Sequence, residues 1–263
     1  MRVAGKTIVI TGAAGGIGTA LARRFHAEGG RLCLSDRQAP TELAAELGAF
    51  AVAADVSIET DVQNLVAAAE AELGPIDLFC ANAGVAIGHG LNATDEDWAV
   101  AWSVNVMSHV YSARAVVPGM LERGHGYLLH TCSAAGLLTS LGDAPYAVTK
   151  HGAVAFAEWL AATYGDRGIG VSVLCPQGVR TPMLTRGVDA GDPAALAVVA
   201  AGKVIEPEEV ADSVIDGLDA ERFLILPHPE VATFQQRKAS DPDRWLAGVR
   251  KLMKVGRPVE VQD

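Results

Sequence analysis

Short runs of apolar residues alternate with longer stretches of helical periodicity along the chain. Seven such runs predict β-strands, at residues 6–11, 31–36, 49–56, 76–83, 126–133, 170–176 and 222–227. Between them, segments such as 58–73 and 94–121 repeat their apolar residues at helical spacing. Because the strands are apolar on both faces, the pattern predicts an α/β fold with a doubly wound, mostly parallel seven-stranded sheet and helices on both faces.

Several helix starts carry local signals. Thr94 and Asp97 have the spacing of a capping box. Pro145 and Pro207 suit the first turn of a helix, where a missing N–H costs nothing. We therefore expect helices to begin close to these residues.

The domain organisation follows from length and periodicity. The 263 residues contain no stretch that resembles a linker, which predicts a single domain over 1–263. Periodicity is weakest over 181–203, so we expect a mobile substrate flap at about 181–205. A helical tail at about 228–263 is expected to pack on a neighbouring subunit or to close the pocket.

Charge and composition narrow the classes of partner. The formal net charge of −10 argues against nucleic acid or an anionic membrane as a partner, because phosphate binding needs clustered Lys and Arg. No apolar run reaches the roughly 20 residues of a membrane span, and the N-terminus lacks the features of a signal peptide. The expected location is therefore the cytoplasm.

Cysteine and histidine spacings point to no metal. The four cysteines form no CxxC pair and lie near predicted strand ends, so we expect small buried hydrophobic side chains at Cys33, Cys80, Cys132 and Cys175. Three histidines also lack ligand spacing and are assigned no role: His89, His109 and His151. No metal site is predicted.

A glycine-rich loop, TGAAGGIG at 11–18, directly follows the first predicted strand. Gly12 permits a tight turn, Gly16 lets the backbone approach a pyrophosphate, and Gly18 lets the next helix pack closely. The positive end of that helix then points at the phosphates. The predicted dinucleotide-binding residues of the loop are Gly12, Gly15, Gly16, Ile17 and Gly18.

The residues at the end of the second strand bear on the choice of dinucleotide. Asp36 lies 18 residues after Gly18, close to the interval at which a carboxylate meets the adenosine ribose. The 2′-phosphate of NADP would lie within roughly 4 Å of this carboxylate, at a cost on the order of 1 to 4 kcal/mol. The prediction is NAD, although the guanidinium of Arg37 could partly offset the repulsion.

Four polar residues form the candidate catalytic set. Tyr146 and Lys150 are four residues apart on a predicted helix and so share one face. A nearby ammonium and a cationic nicotinamide favour the phenolate, so Tyr146 could act as general acid or base. Ser133, at a strand end, could hold the substrate oxygen. Asn105, an amide among apolar neighbours, could hold a water that links Lys150 to solvent.

Taken together, these residues resemble the short-chain dehydrogenase/reductase family, in the branch with a single Rossmann-type domain. The resemblance runs from about residue 5 to 227 and rests on TGAAGGIG at 11–18, Asp55-Val56, ANAG at 81–84, Asn105, Ser133 and Tyr146-x-x-x-Lys150. It implies that Asp55 and Val56 flank the adenine, and that Asn82, Ala83 and Gly84 stabilise the central strands and line the cofactor. It also implies a homotetramer.

Two regions depart from the family pattern. In CPQGVRT, at 175–181, Gln177 stands where the family has glycine. Thr181 still matches the position that binds the nicotinamide carboxamide, and the loop adds Pro176, Gly178 and Val179 to the predicted cofactor contacts. The tail beyond the seventh strand matches no family pattern.

The predicted substrate pocket is mainly apolar. Besides Ser133, its expected residues are Ala135, Leu137, Leu138, Leu141, Met183 and Leu184. Such a lining favours a hydrophobic secondary alcohol or ketone over a sugar or hydroxy acid. The predicted function is therefore an NAD-dependent oxidoreductase of apolar hydroxyl or keto compounds.

Three alternatives remain at this point. The first is an NADP-linked ketoreductase, and the second is a dinucleotide-binding sensor without turnover. The third is an epimerase or dehydratase of nucleotide sugars, which is expected to need a larger substrate domain. The intact Tyr146, Lys150, Ser133 and Asn105 argue against the sensor.

Overall fold

The computed structural model describes residues 1–255 and contains one seven-stranded, all-parallel sheet in the order β3-β2-β1-β4-β5-β6-β7. The strands are β1 (Thr7–Thr11), β2 (Arg31–Asp36), β3 (Phe50–Ala53), β4 (Leu78–Ala81), β5 (Gly126–Thr131), β6 (Ile169–Leu174) and β7 (Leu224–Ile225). The predicted doubly wound fold is confirmed. The strand order reverses between β1 and β4, which is where such sheets form a crevice at their carboxyl ends.

Eleven α-helices lie within the described residues. They are α1 (Gly16–Ala27), α2 (Thr41–Leu47), α3 (Glu59–Leu73), α4 (Asp95–Trp102), α5 (Ser108–Arg123), α6 (Ala144–Tyr164), α7 (Pro182–Asp189), α8 (Pro193–Ala201), α9 (Pro207–Asp219), α10 (Glu230–Ser240) and α11 (Pro242–Val255). Residues 256–263 of the predicted tail lie outside the described part.

Alternate residues of the central strands pack into two separate hydrophobic cores, one on each face of the sheet. Ile8 and Ile10 of β1 pack with α1, α2 and α9 on one face of the sheet. Val9, from the same strand, packs with α3, α5 and α6 on the other face. Burial on both faces explains why the strands are continuous apolar runs. The four cysteines are free and buried, as predicted.

The helix starts follow the predicted signals. Thr94 and Asp97 form a capping box at the start of α4, and Pro145 and Pro207 lie in the first turns of α6 and α9. The segment 94–121, predicted as one helix, is instead α4 and α5 joined by a π-helix, Ser103–Met107. The extra residue in such a turn changes the direction of the side chains that follow it.

The flap region is more regular than its weak periodicity predicts, because α7 and α8 occupy most of it. Their starts are signalled by Pro182 at the first turn of α7 and by Asp192 before Pro193, with the Asp192 side chain accepting from the Ala194 N–H. Short helices with such caps depend on tertiary packing more than on periodicity. None of the helices described is both long and apolar enough to span a membrane.

Candidate active site

A cleft of about 1660 Å³ opens at the carboxyl ends of strands β1 to β6. The glycine loop, Asp36 and Asp55 line one end of it, and Ser133 and Tyr146 line the other. The first four lie at or after the carboxyl ends of β1, β2, β3 and β5, which the parallel sheet brings to one edge, and Tyr146 lies in the first turn of α6. We call the two parts the dinucleotide end and the substrate end.

Three glycines of the loop occupy positions that have no room for a side chain. Gly12 has a φ of 64°, and a Cβ there would lie 2.8 Å from Ala83 Cα. A Cβ on Gly16 would lie 2.7 Å from Thr181 Cγ2, and one on Gly18 would lie 2.1 Å from the Gly12 carbonyl oxygen. Since α1 starts at Gly16, its free N–H groups face the cleft beside this bare backbone. This arrangement fits the pyrophosphate of a dinucleotide.

The carboxylate of Asp36 is held at the rim of the dinucleotide end. Its Oδ2 accepts from the Ala14 N–H at 3.1 Å and its Oδ1 accepts from the Arg37 N–H at 2.8 Å. The Arg37 guanidinium is exposed, and its charge also acts on Asp55. A hydrogen bond from the Ser57 hydroxyl, aided by that charge, lowers the pKa of Asp55. Arg37 therefore lies among anionic groups of the chain itself.

Asn82 joins the carboxyl ends of the central strands. Its Nδ2 donates to the carbonyl oxygens of Thr11 and Gly12, at 3.0 and 3.3 Å, and its Oδ1 accepts from Thr131 Oγ1 at 3.0 Å. The side chain thus spans β1, β4 and β5 directly beneath the cleft. With Ala83 and Gly84, it lines the cleft as well.

Ser133 and Asp143 position the phenol of Tyr146. The Ser133 hydroxyl accepts from the Ala135 N–H, which fixes it at the start of a short 3₁₀ turn, Ala134–Gly136. The buried carboxylate of Asp143 caps α6 by accepting from the Tyr146 N–H at 2.9 Å, and it also binds the Ile87 and Gly88 N–H groups. Asp143 was not among the residues predicted from the sequence, although an Asp two residues before Pro145 is a helix-start signal.

The pKa of Tyr146 differs from the expectation. Burial raises it to about 12, and the hydrogen bond with Ser133 offsets only part of this effect. Burial therefore favours the protonated phenol, and the expected lowering of its pKa by Lys150 together with a bound nicotinamide stays a prediction. The tertiary fold leaves the ring half-buried in the wall of the cleft, which sequence spacing does not reveal.

Lys150 is almost fully buried below the Tyr146 ring. Its Nζ lies 5.6 Å from the ring centroid and donates to the Thr131 carbonyl oxygen at 3.1 Å. Burial lowers the pKa of this ammonium. Lys150 is therefore not a solvated surface charge.

Asn105 lies behind the cleft rather than on its wall. Its Nδ2 donates to the Val85 carbonyl and to Thr149 Oγ1, and its Oδ1 accepts from the Val85 N–H at 2.9 Å. Both amide hydrogens are thus used, and only Oδ1 has a further lone pair. A Cβ on Gly84 would lie 3.2 Å from Lys150 Nζ and 3.3 Å from Asn105 Oδ1. The glycine therefore keeps the space between the two groups open.

The loop with Gln177 is anchored by the tail. The buried His228 accepts from the Gln177 N–H at Nδ1, and its Nε2 donates to the Lys203 carbonyl, each at 3.1 Å. Gly178, predicted at the cofactor, lies against the flap, where a Cβ would be 3.3 Å from Val198 Cγ1, and its contact with the cofactor stays a prediction. Pro176, Val179 and Thr181 line the cleft.

The substrate end contains most of the predicted pocket residues and many others. Ala135, Leu138, Leu141, Met183 and Leu184 line it, as does Ser133. Leu137 does not, because its side chain packs in the core on the α6 side of the sheet.

The flap and the tail supply further parts of the wall, whose individual residues were not predicted from the sequence. They include Arg186, Asp192, Thr233, Gln236, Arg237, Arg244 and Trp245, and Gln177 of the loop after β6 also lines the cleft. The residues at the rim of the pocket are thus more polar than the pocket residues predicted from the sequence. In the described part of the chain, no three His, Cys, Asp or Glu side chains are arranged to hold a metal ion.

Comparison with known proteins identifies the family. The sequence profile of the short chain dehydrogenases matches residues 6–190. The chain belongs to the short-chain dehydrogenase/reductase family. This short-chain dehydrogenase/reductase is an oxidoreductase that acts on CH–OH groups with a nicotinamide dinucleotide, as the resemblance implied.

Similar proteins cover nearly the whole chain. A 1-deoxy-11-beta-hydroxypentalenate dehydrogenase of Streptomyces avermitilis is 38% identical over 94% of this chain and 93% of its own. A meso-2,3-butanediol dehydrogenase of Serratia marcescens is 34% identical over 80% of this chain and 86% of its own. A short-chain dehydrogenase/reductase from Burkholderia phymatum, solved in complex with NAD, superposes with a TM-score of 0.82 at 29% identity, over 92% of this chain and 96% of its own.

Proposed function

We propose that this short-chain dehydrogenase/reductase uses NAD to interconvert a secondary alcohol of a largely apolar compound and its ketone. The observation that carries the proposal is the convergence of Ser133, Tyr146 and Lys150 at the substrate end of the glycine-loop cleft. Two similar proteins, the hydroxypentalenate and butanediol dehydrogenases, are named for hydroxyl compounds, which supports this reaction class.

Tyr146 is the proposed general acid and base. Because burial keeps its proton at neutral pH, the phenol is ready to protonate a ketone oxygen. In the oxidative direction it must lose that proton, and the Ser133 hydroxyl and the Lys150 ammonium favour the phenolate. Bound NAD supplies the hydride acceptor and a further positive charge. Asn105 Oδ1 is the proposed anchor of a water that leads the proton away from Lys150.

NAD is proposed over NADP because two carboxylates, Asp36 and Asp55, line the dinucleotide end. Asp36 is fixed by two backbone N–H groups, so it cannot easily turn away from a 2′-phosphate. Arg37 already faces the negative charge of Asp55, which weakens its ability to compensate.

The test measures kcat/KM with NAD and with NADP over a panel of alicyclic, aryl and steroidal secondary alcohols. We expect turnover with a clear preference for NAD. A preference for NADP would support the ketoreductase alternative. Tight NAD binding without turnover of any alcohol would support the sensor.

We further propose a homotetramer, as the family resemblance implies. Large apolar side chains are exposed on neighbouring helices, with Trp102 of α4 at 45% and Val148 and Trp159 of α6 at 48% and 54% exposure. Such a patch suits contact with a second copy of the chain. Light scattering checks the mass in solution, and a monomer would contradict the proposal.

A further inference from the structure

The tail contributes a partly buried contact to the loop that carries Ser133. Lys238, on α10, donates from Nζ to the carbonyl oxygens of Leu137 and Leu138, at 2.8 and 2.7 Å. The same nitrogen lies 3.3 Å from His151 Nε2. These partners are about 100 and 87 residues away in the chain, so the contact joins the tail to two catalytic elements.

Each partner of Lys238 can accept a hydrogen bond from its ammonium group. Leu137 and Leu138 follow the 3₁₀ turn Ala134–Gly136, and their carbonyl groups face the tail. His151 Nδ1 is 2.8 Å from the Ala147 carbonyl, which can only accept, so the ring carries its proton on Nδ1. Nε2 therefore has a free lone pair for the ammonium. His151, assigned no role from sequence, is an acceptor in this contact.

The tail is also a wall of the substrate end. Arg237 of α10 and Arg244 and Trp245 of α11 line the cleft. Phe234 and Trp245 pack with their ring centroids 6.2 Å apart, which braces α10 against α11, and α11 contacts α8 of the flap. Fixing α10 therefore fixes the outer wall of the pocket.

We infer that Lys238 is a positioning residue for the substrate: it fastens the tail to the loop after Ser133 and so sets the shape of the substrate end. This inference rests on the proposed function. Lys238 touches neither dinucleotide nor substrate in it, so its loss should change alcohol binding and leave dinucleotide binding intact. A charged donor to two carbonyl groups is a strong hydrogen-bonding group, whose removal leaves both acceptors to compete for water.

The test compares Lys238→Met with Lys251→Met, which removes an exposed lysine of α11. In Lys238→Met we expect faster hydrogen exchange at the amides of 134–141 and 230–240. We also expect a KM for the alcohol raised about tenfold and a Kd for NAD within about twofold of wild type. Lys251→Met should match the wild type in all three measurements.

A chemical rescue distinguishes the effect of losing the ammonium group from a general disturbance of the fold. In Lys238→Cys, alkylation with 2-bromoethylamine rebuilds a side chain of lysine length, and the four native cysteines are buried. Treated wild type serves as the control. Recovery of the low KM supports the inference, and failure to recover it in a folded, alkylated protein contradicts it.

Hydrogen exchange keeps this inference distinct from the proposed function. It is measured on the ligand-free chain, so it reports on the Lys238 contact whether or not an alcohol is turned over. Wild-type exchange rates in Lys238→Met would overturn the inference. Faster exchange together with an inactive wild type would count against the proposed alcohol chemistry alone.

Discussion

The two ends of the cleft are built in different ways. The dinucleotide end consists of short loops after consecutive strands, with Gly12, Gly16 and Gly18 close together in sequence. The substrate end is assembled from the Ser133 loop, the start of α6, the flap helices and the tail. The first end depends on local backbone geometry, and the second depends on contacts between distant segments such as Lys238 and Leu138.

This difference explains why one end tolerates little change while the other can vary. At the dinucleotide end a single Cβ would collide with backbone atoms. At the substrate end much of the wall consists of exposed or half-buried side chains on α7, α10 and α11. Changes of specificity are therefore expected in the flap and tail, on a constant cofactor site.

The largest expected effect is at the junction of the two ends. Tyr146→Phe removes the proposed acid and base and should lower kcat about 10³-fold, the middle of the range for such groups. The Kd for NAD should stay within about twofold, because the ring remains in place. Steady-state kinetics and fluorescence titration measure both quantities.

Tyr164→Phe is the matched control, since Tyr164 lies on the same helix but contacts Arg167 and Trp159. It should keep wild-type turnover. Equal loss in both variants would mean that the effect of Tyr146→Phe is structural.

The sequence indicates the residues that line the dinucleotide end because its signals are local. Strands β1 and β2, the glycine loop and Asp36 are all read from neighbouring residues. The core position of Leu137 and the raised pKa of Tyr146 were not expected from the sequence, because each depends on what the fold packs against the side chain. The tail was expected to pack on a neighbouring subunit or to close the pocket, but no local signal shows which distant loop a helix covers, so Arg237 and Trp245 were not predicted.

The second prediction concerns a substitution that disturbs only the dinucleotide end. In Gly18→Ala the new Cβ would lie 2.1 Å from the Gly12 carbonyl oxygen, so the loop or α1 must shift. We expect the free energy of unfolding to fall by about 2 to 4 kcal/mol and NAD binding to weaken with it, as measured by urea denaturation and titration. Gly165→Ala is the control, because a Cβ there meets nothing within 4 Å. Unchanged stability in Gly18→Ala would contradict the described packing.

A third prediction concerns a buried pair beneath the substrate end. His109 and His130 lie Nδ1 to Nδ1 at 2.9 Å. Burial lowers both pKa values, that of His130 to about 4. The unfolded chain takes up protons below about pH 6.5 while the folded pair does not. Stability is therefore complete above about pH 6.5 and falls as the pH drops towards about 4.

For His130 the pKa shift corresponds to about 3 kcal/mol. Urea denaturation at pH 7 and pH 4.5 should show a smaller loss in His130→Gln than in the wild type. His26→Gln, which removes an exposed histidine of α1, should retain the full loss. Equal losses in wild type and His130→Gln would exclude the pair as the source.

The smallest expected effect concerns the choice between NAD and NADP at the dinucleotide end. Asp36→Ser removes the repulsion of a 2′-phosphate and leaves Arg37 free to attract it, so kcat/KM should shift towards NADP by about tenfold or more. Glu42→Ser, at an exposed carboxylate of α2, should leave the ratio of kcat/KM values unchanged. An unchanged ratio in Asp36→Ser would remove the basis for proposing NAD.

The account depends most on where the phenol of Tyr146 lies when both ends of the cleft are filled. A crystal structure of the complex with NAD and a secondary alcohol that the enzyme oxidises measures this directly. We predict Tyr146 Oη and Ser133 Oγ at about 3 Å from the same alcohol oxygen. A complex in which that oxygen contacts neither group, with Tyr146 Oη turned away from the nicotinamide, would contradict the mechanism.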